Sequence, residues 1–290
     1  MNPDRRLRAL RQLAWAAVAL MIVVTSVSAW LRLAQPRPPC QQWPVCRALG
    51  MQLPAPATLD PAPPAHNLDL PRALHRTVAS LTLVLVCVLV AVALARRPRN
   101  WRAGRPALAL LGLALGLAAL GIATTGAHGA AILLGNMLGG FSMLALAWRM
   151  TRRGVPLDGA VARDIDRRAL IGITGWAGQA AVGAISGTGA GLVVAWLHPV
   201  FALVVSVWAL SLGAFVRRHG LFREGTALMV VTLLQWPLGI SAALLDAPPL
   251  LVLIHNTSAA CGMALLAGLI GRGTARVGIR TGSTARAAVE

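Results

Sequence analysis

A chain of 290 residues that is 57% hydrophobic and 12% charged, with a mean hydropathy of +0.67, is not a soluble globular domain; its composition is that of a polytopic membrane protein. The net charge of +18 and pI near 12 raise nucleic acid as a partner, but the placement of the basic residues at recurrent segment ends excludes it. The partner that composition implies is the lipid bilayer.

A membrane crossing takes about 20 apolar residues as a helix. Backbone groups in lipid must bond within their own segment, so helices are expected and sheets are not. Eight segments qualify, at about 12–33, 73–95, 106–124, 130–150, 169–187, 192–215, 226–245 and 249–271. The first follows a basic tail, as in a signal peptide. Its apolar stretch is longer than a typical signal core and no clear small-residue cleavage site follows, so it is read as a retained helix, with a cleaved signal as the alternative.

Residues 34–71 form a long proline-rich external loop that holds Cys40 and Cys46 in CysGlnGlnTrpProValCys. On an oxidising side such a close pair can form a disulfide; the alternative is two thiols that never meet. Cys87 and Cys261 lie in apolar segments and behave as small hydrophobes. Gly112, Gly116 and Gly121 on the third segment and Gly135, Gly139 and Gly140 on the fourth predict close helix packing, with space for a flat macrocycle as the other reading. The link at 186–191 is only SerGlyThrGlyAlaGly, and the tail beyond about Arg272 has a disordered composition.

All 27 basic residues are Arg. They cluster in the N-terminal tail, after the second, fourth and sixth segments and in the C-terminal tail, leaving five for the opposite side. An even number of helices puts both termini in one compartment, and the arginine bias makes it the cytoplasm.

Two correspondences suggest an internal repeat. LeuHisArg at 74–76 opens an apolar helix as LeuHisPro does at 197–199, and LeuGlyIle at 120–122 matches LeuGlyIle at 238–240. Counting on from the first LeuGlyIle, the place of His255 falls on Asn136 with one residue of gap. The fold class is therefore an all-α polytopic membrane protein, eight transmembrane helices in two pseudo-symmetric four-helix bundles. The first repeat covers 1–150, a cytoplasmic linker 151–168, the second repeat 169–272 and a disordered cytoplasmic tail 273–290.

An imidazole in an apolar helix is costly without a partner or ligand. His198 and His255 fall at matching inferred depth on repeat-related helices, as two axial ligands of a haem iron would; the alternative is a pair of hydrogen-bonded packing residues. A bare transition-metal site would bring carboxylates or thiolates, and no acidic residue falls in mid-helix. His66 and His219 are expected as solvated surface residues.

At these residues the chain resembles the haem A synthase family, cytochrome oxidase assembly enzymes that oxidise a methyl group of haem O to a formyl group. The resemblance rests on Arg32 and Leu33, the loop with Cys40, Trp43, Pro44 and Cys46, His75 with Arg76, and a histidine on the eighth helix. It implies a haem b cofactor ligated by His198 and His255, haem O as substrate at His75 as the catalytic residue, and a Cys40–Cys46 pair that transfers electrons or shapes the site. It also implies a haem O-producing prenyltransferase and an electron donor as partners, and a multi-pass location in the bacterial inner membrane. The chain is compatible with a homo-oligomer.

Three positions depart from the family pattern. Arg72 stands where a glutamate is usual, Asn136 where a second histidine is, and Pro199 where an arginine is common. Asp69 and His128 are the nearest substitutes for the missing acid. These departures keep a second function open, a non-catalytic haem b-binding protein for electron transfer or haem chaperoning. A two-fold-repeat transporter fits less well, because the histidines lie near one surface and the helices lack the expected breaks.

Overall fold

The computed structural model describes residues 3–33, 68–95, 97–123, 130–187, 192–245 and 247–274. Eight helices account for nearly all of them: α1 (Pro3–Leu33), α2 (Asp69–Leu94), α3 (Trp101–Ala123), α4 (Ala130–Thr151), α5 (Gly159–Ser186), α6 (Leu192–Arg218), α7 (Phe222–Leu244) and α8 (Pro249–Leu269). All eight are long and apolar enough to cross a membrane. Their outward surfaces are apolar as well, with Val84 62% and Ile122 79% exposed. An apolar exterior of this extent fits lipid rather than water as the surrounding solvent.

Several helices run further at their Arg-rich ends than hydrophobicity alone marks. α1 starts at Pro3 rather than about 12, and α5 at Gly159, inside the stretch read as linker. Apolar counting sees only the part in hydrocarbon, whereas the backbone keeps its helical bonds into the polar margin. Asp158 caps α5, its carboxylate accepting from the amides of Ala160 at 2.8 Å and Val161 at 3.3 Å. A two-residue parallel ladder outside the helices, β1 (Val155–Pro156) with β2 (Gly273–Thr274), extends ordered structure into the start of the stretch read as a disordered tail.

Within each half the helices pack in a ring. α1 contacts α2, α2 contacts α3, α3 contacts α4 and α4 closes on α1; α5 to α8 repeat the pattern. The halves meet mainly through α4 on α8, flanked by α1 on α8 and α5 on α4. This arrangement is what a two-fold relation between the halves requires.

The buried faces carry the same relation residue by residue. Leu10, Ala14, Ala17 and Met21 on α1 share their spacing with Ile165, Ala169, Gly172 and Trp176 on α5. Thr82, Val86, Leu89 and Ala93 on α2 match Val205, Ala209, Leu212 and Val216 on α6. Phe141, Met143, Leu144, Ala145 and Ala147 on α4 match Ala260, Gly262, Met263, Ala264 and Leu266 on α8. In these registers His75 corresponds to His198 and Asn136 to His255.

Packing at the glycines differs between α3 and α4. A Cβ on Gly139 would meet Leu117, and one on Gly140 would lie 3.0 Å from Thr25, so the α4 glycines do allow close approach. Gly112, Gly116 and Gly121 have nothing within 4 Å of such a Cβ. The expectation of close packing on α3 is therefore corrected, because those positions face outward into open space. Within the second half, Trp176 on α5 occupies the place that a side chain at Gly262 on α8 would fill, and its indole N–H donates to the Ala259 carbonyl at 2.8 Å.

Candidate functional site

His198 and His255 come from opposite corners of the second ring, on α6 and α8. Their ring centroids lie 6.5 Å apart with planes at 74°. A metal–imidazole bond of about 2 Å on each side would put two ligating rings roughly 6 Å apart between centroids, so the separation has room for one metal atom held by both.

A neighbouring helix lies against each imidazole, and α5 also hydrogen-bonds that of His198. Gln179 on α5 places its side-chain nitrogen 2.9 Å from His198 Nδ1 and 3.0 Å from the His198 carbonyl oxygen. One turn along α5, a Cβ on Gly183 would lie 2.5 Å from His198 Cε1. On α7, a Cβ on Gly239 would lie 3.3 Å from His255 Cε1. Ser258 donates to the His255 carbonyl at 3.0 Å, and Gln235 on α7 in turn donates to Ser258.

Two polar atoms in this cluster, His255 Nδ1 and Gln179 Oε1, are buried with no hydrogen-bond partner. Unpaired buried groups cost free energy and point to a missing ligand or partner. Among the described residues no group of three or more His, Cys, Asp or Glu side chains converges, so the described residues bring no third ligand of these types to the pair. A haem iron brings four nitrogens of its own and needs two more. The paired rings, the glycines beside them and the orphaned atoms therefore fit a haem held between His198 and His255.

The corresponding place in the first half is built differently. His75 is half-buried near the start of α2, with Arg32 and Arg76 as its charged neighbours. In the α1–α5 register, Val24 replaces Gln179, Ser28 replaces Gly183 and Arg32 replaces Gly187. The Arg32 guanidinium donates to Ser28 Oγ at 3.1 Å. Where His198 meets an amide, His75 therefore has a cation nearby. Neither His75 nor the half-buried Asn136 has a hydrogen-bond partner among the described residues. Gly121, the counterpart of Gly239, faces open space where Gly239 faces an imidazole.

Arg72, at the usual glutamate position, forms an exposed ion pair with Asp69 at 3.6 Å. The nearest acid is thus engaged at the start of α2. His219 is half-buried rather than solvated: its Nδ1 lies 2.9 Å from the Phe215 carbonyl, and its ring stacks on Phe215 with centroids 4.4 Å apart. Cys40, Cys46, His66 and His128 lie outside the described residues, as does Asp246. Cys87 and Cys261 are free.

Sequence reasoning found the histidines but not Gln179, which bonds the His198 ring, nor Gln235 and Ser258, which link to the His255 backbone carbonyl. Their signal was available as amides and a hydroxyl inside apolar helices, where such groups usually bond across to a neighbour. Compared with protein-family models and with curated proteins, the chain matches none.

Proposed function

We propose that this chain is a haem A synthase-like membrane oxidoreductase that oxidises a methyl group of haem O to a formyl group, with haem b between His198 and His255 and the substrate at His75. The observation that carries the reading is the His198–His255 pair, 6.5 Å apart across the second ring. The arginine bias toward one end of the bundle supports a bacterial inner-membrane location with both termini in the cytoplasm.

His198 and His255 would hold the haem iron, and Gly183 and Gly239 leave room for their rings. Haem b, when bound, supplies one-electron exchange. Arg32 and Arg76 put positive charge beside His75, complementary to the propionates of a haem substrate. Written with molecular oxygen as the oxygen source, the conversion is R–CH3 + 2 O2 + 4 H+ + 4 e− → R–CHO + 3 H2O. It therefore needs electrons, and an external electron donor supplies them. The haem O itself comes from a membrane prenyltransferase.

A second reading has its own support. Arg72 replaces the usual acid and Asn136 the usual second imidazole, which favours a non-catalytic haem b-binding protein for electron transfer or haem chaperoning. Mass identification of haems extracted from the purified protein, expressed with and without a haem O synthase, separates the two. Haem A or its alcohol precursor supports the enzyme, haem b alone the binding protein, and no stoichiometric haem would sink both. His198→Ala or His255→Ala is expected to abolish the b-type spectrum, whereas His75→Ala leaves it nearly intact. Equal loss from all three would contradict separate sites.

A further inference from the structure

The ligand reading of His198 leads to a residue that governs it. Gln179 and Gly183 lie one turn apart on α5, and both meet the His198 ring. The amide stands 2.9 Å from Nδ1, and a Cβ on Gly183 would lie 2.5 Å from Cε1, 2.9 Å from Nδ1 and 3.3 Å from Nε2. α5 thus backs the edge of the ring from Nδ1 to Nε2, and its hydrogen bond takes Nδ1, which leaves Nε2 as the nitrogen for a ligand.

A carboxamide has a donor end and an acceptor end. In the orientation seen here its nitrogen donates to Nδ1 and to the His198 carbonyl, while Oε1 is buried without a partner. A neutral imidazole that accepts at Nδ1 carries its proton on Nε2, which closes Nε2 to a metal. Turned over, the amide presents Oε1 to an Nδ1–H, and Nε2 offers its lone pair. The imidazole is neutral in both arrangements; the ring proton changes nitrogen and no net charge is created.

We propose that Gln179 is the positioning residue of His198, and that reversal of its amide couples ligation at Nε2 to the hydrogen bond at Nδ1. Metal-ligating histidines commonly give the other ring N–H to a carboxylate or a carbonyl, which orients the ring and raises its basicity. An amide oxygen is a weaker acceptor than a carboxylate. His198 is therefore the weaker electron donor of the two cases, and an iron bound to it is easier to reduce. The first half has Val24 at the corresponding place, so this control belongs to the second half alone.

The inference rests on the haem reading proposed above, and one experiment separates their failures. Full-length wild-type protein, Gln179→Glu and Gln179→Leu are purified in detergent with the haem acquired during expression. Haem per chain, the reduced-minus-oxidised spectrum and the midpoint potential are then measured. Gln179→Glu is expected to keep the haem and its low-spin spectrum and to lower the midpoint by about 60 mV or more, a tenfold shift in the one-electron equilibrium. Gln179→Leu is expected to lose part of the low-spin signal to a high-spin form. An unchanged potential in Gln179→Glu overturns the role of Gln179 whether or not the leucine variant folds, and so does loss of its haem. Folded wild-type protein without haem overturns the ligand pair itself.

Discussion

At the scale of single residues, the candidate site depends on what is absent beside each imidazole. Gly183 leaves no room for even a methyl group next to His198 Cε1, whereas Gly239 leaves a tight but tolerable 3.3 Å to His255. Close-packed interiors transmit such differences, because a displaced ring has nowhere soft to go. Gly183→Ala is expected to lose most of the haem measured per purified chain, and Gly239→Ala to retain most of it with a shifted spectrum. Asn136 offers the converse test. It stands where His255 does in the α4–α8 register, and Gly121, the counterpart of Gly239, has nothing within 4 Å of a built Cβ, so Asn136→His is expected to fit and to raise low-spin haem per chain when His75 is intact. No gain, or a gain that survives His75→Ala, would argue against the two residues facing one site.

At the scale of elements, polar contacts decide how helix ends and helix pairs are held. Arg6 on α1 donates to the carbonyls of Val92 at 2.8 Å, Ala93 at 2.5 Å and Pro98 at 2.7 Å. It thereby satisfies the end of α2, where the helix leaves carbonyls without an internal partner. Arg6→Ala is expected to destabilise the first half by about 2 kcal/mol or more, read as a lower thermal midpoint in detergent. Arg6→Lys should recover only part of this, since an ammonium lacks the guanidinium fork. Between α7 and α8 the contact is Gln235 with Ser258; in the first half Leu117 and Gly139 stand in the same register and pack without polar atoms. The repeat thus preserves the approach of the helices while changing its chemistry.

At the scale of the whole molecule, the Arg-rich end is tied together by one carboxylate. Glu224 at the start of α7 pairs with Arg152 just after α4 and with Arg272 just after α8, the latter at 2.9 Å. Arg272 is buried, its side chain 8% exposed, and Arg152 is partly buried. Nearby, the Val155 amide donates to the Arg272 carbonyl at 2.7 Å, and the Gly271 amide to Asp166 at 2.8 Å. This end therefore connects the first half to α7, α8 and α5 together. Glu224→Gln would leave the buried Arg272 guanidinium without a countercharge, at a cost of about 3 kcal/mol, and would unpair the partly buried Arg152 as well. The expected sign is a lower thermal midpoint for the whole protein; loss confined to one half would count against a shared clamp.

The sequence by itself determined the eight crossings and the repeat, because lipid leaves the backbone only helices and makes each crossing visible as an apolar run. It also singled out His75, His198, His255 and Asn136, because a polar group in such a run stands out against its neighbours. Only the tertiary structure decided that Gln179, Gly183 and Gly239 lie beside the histidine pair. Those contacts join different helices, and one-dimensional spacing carries no distance between them. The same limit explains the α3 glycines and the Glu224 clamp: whether a small residue meets a neighbour or open space, and which arginines share one acid, is settled by how the helices pack side by side.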